Sequence, residues 1–185
     1  MKRITAILIS LVLLLTLCAC QKAESHKSNI DTISTEAEQS IEEYKPSYSF
    51  SLTWGTYGIS SYDSKTGTLI KTKDATNPKD YTTNLKLTEQ QYSAIWKLIK
   101  SLDIDSYPDK YNPHKNGVSI PYMTLILSVK SDDIDKTVMV EETILSYDTN
   151  NKKGQKFLDT CKGIRDILTA TEEWKAIPEY EFLYD

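Results

Sequence analysis

Histidine is almost missing from this chain: there are two in 185 residues, His26 and His114. His26 sits in a polar stretch and His114 in Asn112-Pro113-His114-Lys115-Asn116-Gly117. Neither has a second His or Cys at metal-ligand spacing, so both read as solvated imidazoles and no metal or cofactor is expected. Glycine is scarce too. Six glycines leave no Gly-rich phosphate loop ahead of a helix and no Gly-x-Ser-x-Gly turn for a serine nucleophile. Positive charge is in deficit, with 22 Lys and Arg against 26 Asp and Glu. Nucleic acid is excluded as a partner, because displacing phosphate counterions needs clustered cations. Long apolar runs are lacking. The one candidate, Ile4 to Leu17, would reach roughly 21 Å as a helix, short of the roughly 30 Å of bilayer hydrocarbon.

What the N-terminus does contain is ordered. Lys2 and Arg3 come first, then the uncharged run, then Leu17-Cys18-Ala19-Cys20. Charge, apolar segment and small residue form the grammar of a secretory signal peptide. The four residues resemble the lipobox of bacterial lipoproteins, although Cys18 replaces the commoner small or hydroxyl residue at the second position. That resemblance implies removal of residues 1–19, a diacylglyceryl thioether on Cys20, and a lipid-anchored place on the extracytoplasmic face of the cell membrane. One acyl chain binds a membrane marginally, whereas two, at about 0.8 kcal/mol per buried methylene, hold stably. Losing Lys2 and Arg3, the segment's only charges, moves the formal charge from −4 to −6. Adsorption to anionic lipid is then disfavoured, and membrane contact falls to the acyl chains on Cys20.

The same resemblance settles the cysteines. With Cys18 removed and Cys20 lipidated, Cys161 alone stays free, so neither an intramolecular disulfide nor a multi-cysteine zinc site can form. Cys161 shares helical spacing with Phe157, Ile164 and Leu168, which favours a buried thiol over a nucleophile.

Residues 20–46 read as a lipidated N-terminus and flexible tether, since Gln21 to Lys45 are rich in Ser, Thr, Glu and Lys. Extended, the tether would reach on the order of 80 Å; as a coil it would average about 30 Å. Ile30, Ile33, Ala37, Ile41 and Tyr44 recur at loosely helical spacing within it.

Residues 47–185 are expected to form a single α+β domain. Tyr48, Phe50, Leu52 and Trp54 alternate with Ser49, Ser51 and Thr53, a half-buried strand. Tyr62 to Leu69 reads as a hairpin turning at Gly67, with a second arm to Lys73, and Tyr81, Thr83, Leu85 and Leu87 alternate as a further strand. Thr88 and Gln91 fit a capping box, with Leu87 and Tyr92 as its staple. Tyr92, Ile95, Trp96, Ile99 and Leu102 then make one apolar helix face. Met123, Leu125, Leu127 and Val129 alternate again, and Ser131 to Asp135 turns into a strand around Val138 and Val140. A short strand is expected near Ile144 to Tyr147. A last helix follows from Lys153 to Leu168, with Thr169 and Glu172 restarting a helical turn before Pro178. The order gives a mostly antiparallel β-sheet with two amphipathic helices packed on one face.

Little in this domain points to chemistry. Asp103, Asp105 and Asp109 are acidic neighbours, but an EF-hand counted from Asp103 would need Gly where Pro108 stands and Glu where His114 stands. Asp148, Asn150 and Asn151 read as a loop whose charge Lys152 and Lys153 offset. Tyrosine is the unusual abundance, at 12 against three Phe. Tyr107 and Tyr111 lie in a proline-stiffened segment, and Tyr180, Phe182 and Tyr184 crowd the C-terminus. Tyr107, Tyr111, Tyr180 and Tyr184 are the expected interaction surface, suited to an envelope protein or a cell-wall glycan. The competing reading makes these rings the edges of a small core. The run of Trp54, Tyr62-Asp63, Leu87-Thr88, Tyr107-Pro108-Asp109, Leu168-Thr169 and Tyr184-Asp185 resembles small uncharacterised lipoproteins of low-GC Gram-positive bacteria, a resemblance that implies no activity. The expected function is a non-enzymatic binding domain tethered to the membrane. The alternatives are a small envelope hydrolase using carboxylates such as Asp103, Asp105 or Asp109, and an accessory lipoprotein of a transporter or immunity system.

Overall fold

A computed structural model describes residues 46–56, 59–115 and 119–180. Leu17 to Cys20, the expected tether as far as Lys45, Phe182 and Tyr184 lie outside the described residues. Strand β1 (Ser49–Gly55) carries the expected alternation: Phe50, Leu52 and Trp54 are buried, while Ser49, Ser51 and Thr53 are half exposed. It pairs with β2 (Ser60–Asp63), which turns into β3 (Thr68–Ile70). The turn has two local causes. The Asp63 carboxylate accepts the Lys65 N–H at 2.8 Å, and Gly67 takes the left-handed φ of 70° that an L side chain resists.

The next strand is shorter than its alternation suggests. Pro78 to Tyr81 form a 3-10 turn, leaving β4 only Thr82–Asn84; Leu85 and Leu87 are buried in the connection beyond it. Helix α1 (Glu89–Leu102) starts on the complete capping box. Thr88 accepts the Gln91 N–H at 3.2 Å, and the Gln91 side chain accepts the Thr88 N–H at 2.8 Å. Tyr92, Ile95, Ile99 and Leu102 face inward, and the half-buried Trp96 stacks on Tyr48 at 4.4 Å.

Strands β5 (Met123–Lys130) and β6 (Asp135–Thr143) form the second hairpin, followed by helices α2 (Lys152–Thr169) and α3 (Glu172–Ala176). The strand expected at Ile144 to Tyr147 is absent. There the Ser146 N–H donates to the Ile144 carbonyl at 2.8 Å, a tight local bend that takes the place of a ladder. The cap of α3 also differs: Thr171, not Thr169, accepts the Trp174 N–H at 3.3 Å.

The sheet is antiparallel throughout, in the order β4-β3-β2-β1-β5-β6. Its register lines up one row across five strands: Leu69, Tyr62, Leu52, Leu127 and Val138, none more than 1% exposed. Onto this face pack Phe157, Leu158, Cys161, Ile164 and Leu168 of α2 with the inner residues of α1. The fold is α+β, with its helices on one side of the sheet.

Candidate interaction surface

Of the four tyrosines expected to form an interaction surface, the structure buries Tyr107 and leaves Tyr111 and Tyr180 half exposed. Tyr107 is only 3% exposed; its hydroxyl donates to the Lys153 carbonyl at 2.9 Å, and its ring lies 5.6 Å from Phe157. Tyr111 is half-buried, edge-on to Tyr107 at 5.1 Å and to Phe157 at 5.9 Å, and its hydroxyl accepts from the Asn151 amide at 3.2 Å. The cause is an edge closure. The Asp109 carbonyl accepts the Met139 N–H at 2.7 Å, and the Tyr111 N–H donates to the Met139 carbonyl at 2.9 Å. The segment therefore covers the outer edge of β6 and turns its two rings into the core. Tyr180 is half-buried against Tyr81, their ring centres 5.3 Å apart. Lys71 holds the same stretch through Glu179 and, at 3.1 Å, the Ile177 carbonyl. Tyr184 lies outside the described residues.

Burial pushes the Tyr107 phenol up to about 12, with Tyr111 and Asp103 adding to the shift. Tyr62 is displaced further in the same direction, first by burial and then by Tyr92. Both phenols favour their neutral form in the folded state, so their contribution is complete below the unfolded value of about 10. It is lost as pH rises through the folded values. Thermal melts are expected to hold steady up to about pH 10 and then fall steeply. Tyr107→Phe should cost about 1 kcal/mol at neutral pH through its lost hydrogen bond and make that alkaline fall shallower.

The side of the sheet away from the helices is open. Ser49, Ser51 and Thr53 of β1, Ser61 and Asp63 of β2, Thr68 of β3 and Ser128 of β5 are half exposed there beside the half-exposed Ile70, Ile126 and Met139. Thr137 of β6 is exposed, and Thr124 at the far end is buried. At its Ser49–Lys130 end lies a cleft of about 250 Å3 floored by Ser49, Ser51, Ser128 and Thr137. Asp63, Lys65, Lys130 and Asp135 rim it. Thr137 donates to Ser128 at 2.9 Å, and Lys130 meets the Asp135 carboxylate at 2.6 Å. The hydrogen bond and charge of Lys130 hold the Asp135 carboxyl below the usual range. A general acid needs the opposite shift. Hydroxyls and charged groups of both signs dominate its lining.

Asp103, Asp105 and Asp109 are all exposed. Asp103 ends α1 in the left-handed conformation, and Asp109 pairs with Lys136 at 2.6 Å. Among the described residues no group of three or more His, Cys, Asp or Glu is placed to hold a metal ion. The His114 ring nitrogen Nε2 lies 3.1 Å from the Ser146 carbonyl, bracing one loop against another. Cys161 is fully buried, and that burial raises its thiol far above the range of a reactive cysteine.

The loop around His114 also fixes the start of α2. A Cβ on Gly154 would lie 2.4 Å from the Pro113 carbonyl oxygen, which already accepts from Thr149 and Asn151. Helix propensity alone would make Gly154→Ala stabilising by about 1 kcal/mol. The backbone clash reverses the sign, and a loss of about 1–3 kcal/mol is expected in urea unfolding.

No protein-family model and no curated protein matches this chain. The open face was written in the sequence as the polar half of two alternations, Ser49-Ser51-Thr53 and Ser128. What that pattern withholds is whether a second layer covers those residues.

Proposed function

We propose that the chain is a lipoprotein anchored through Cys20 to the extracytoplasmic face of the cell membrane, its folded part a binding module for another envelope protein. The observation that carries this reading is Leu17-Cys18-Ala19-Cys20 behind a positive start and a short uncharged run. The open, hydroxyl-rich sheet face supports it. It offers more accessible polar surface than Tyr107, which is buried, while Tyr111 is half exposed. Service to a transporter or immunity system would be the same activity with a particular partner.

The test is photo-crosslinking in intact cells, with a photoreactive residue at Ser51, at Ser128, or at the exposed Lys97 on α1. Ser51 and Ser128 should trap one common protein that Lys97 does not. A background-level yield from both, or equal labelling from Lys97, would contradict a binding role for this face.

A further inference from the structure

Three large apolar side chains stand exposed among the described residues: Ile120 at 93%, Leu145 at 54% and Tyr122 at 47%. Scattered singly they would need no explanation, but they belong to one spot. The Ser119 hydroxyl accepts the Leu145 N–H at 3.0 Å and donates to the Pro121 carbonyl at 2.8 Å. Just below, Met123 pairs with Thr143. The three residues therefore lie beyond the open end of the β5–β6 pair, opposite its turn at Ser131 to Ile134, and form a tip there.

Two observations select what this tip meets. The first is shape. A side chain 93% exposed stands clear of any surrounding wall, so a protein partner would have to bring a socket for it, whereas lipid needs none. Tyr122, with its amphipathic ring, is a residue type enriched at membrane–water interfaces. The neighbouring cleft around Ile144 is polar, with Lys115 and Asp148 giving it one charge of each sign, so no net charge there favours anionic lipid. The second observation is reach. The described chain begins at Pro46, near the Ser49–Lys130 end of β1, and the tip lies beyond the Gly55–Thr124 end. Those ends are about 20 Å apart at the usual rise of a strand. The chain from residue 20 to residue 45 has a contour length on the order of 80 Å, well beyond that separation, so the far end can meet the bilayer. Tethering also keeps lipid at high local concentration beside the tip.

We infer that Ile120, Pro121, Tyr122 and Leu145 insert into the outer leaflet as a second membrane contact, independent of anionic lipid. This rests on the lipid-anchored reading, since the tether brings the tip and the bilayer together. It orients the domain with its open sheet face free at the side.

The test uses the full lipidated protein carrying Ile120→Cys, spin-labelled and reconstituted into phosphatidylcholine vesicles with and without phosphatidylglycerol. Cys161 is fully buried and escapes the label; a matched Ser51→Cys sample supplies the aqueous reference. In both vesicle types the label at position 120 should collide with oxygen, relative to a water-soluble nickel chelate, several-fold more than the label at 51. Adding Tyr122→Ser and Leu145→Ser should bring the two ratios together. Equal ratios at 120 and 51 without those changes would overturn the inference. So would a label shielded from both reagents only in native membranes, the signature of a protein socket. The intact mass of each sample reports the lipid on Cys20 separately. A lipidated Cys20 with an aqueous label at 120 sinks the tip alone; an unmodified Cys20, seen in the intact mass before labelling, sinks the anchor, and its Cys20→Ser form then reads position 120 by itself.

Discussion

Phe157→Ala is expected to cost the fold about 3–5 kcal/mol, a large part of the 5–15 kcal/mol that typically separates folded from unfolded domains. Phe157 is fully buried in the middle of α2, where its ring lies 5.6 Å from Tyr107 and 5.9 Å from Tyr111. Its removal leaves a cavity that neither tyrosine can fill without giving up a bond. Tyr107 would leave the Lys153 carbonyl, and Tyr111 the Asn151 amide. The urea midpoint should fall sharply, and the alkaline titration of Tyr107 should move back toward that of a free phenol. An unchanged midpoint would count against the core described here.

Cys20→Ser should have the largest cellular effect. On the lipid-anchor reading, the serine hydroxyl cannot form the thioether, so the two acyl chains that would make membrane binding stable are never attached. Incorporation of labelled palmitate should vanish. The chain should appear either as a heavier precursor that keeps residues 1–19 or as protein released from the membrane. Cys161→Ser should leave palmitate incorporation unchanged, because that thiol is fully buried in the folded protein. Palmitate labelling that survives Cys20→Ser would overturn the lipid-anchor reading.

Much of the architecture was legible because each element carries its own signal. The alternations in β1 and β5 name the buried row, and Thr88 with Gln91 marks the start of α1 to the residue. What stayed hidden depends on partners distant in sequence. The Thr83–Leu87 alternation runs past Asn84 only as a buried connection, because the β3–β4 ladder stops there. Ile144 to Tyr147 reads as a strand until Ser146 bends it. The tyrosines show the limit most clearly. A loop ring is a contact or a core residue according to what lies behind it. Behind Tyr107 lies Phe157, on a helix far along the chain, and the edge of β6 directs the segment toward it. The apolar tip is similar, since only the Ser119 hydroxyl brings Ile120 and Leu145 into one place.

The anchor itself is open to a direct reading. Intact-mass analysis of the protein extracted from membranes should find a chain that begins at Cys20 and carries a diacylglyceryl group on that residue. A mature chain that still begins at Met1, or one whose Cys20 is unmodified, would contradict the account at its centre.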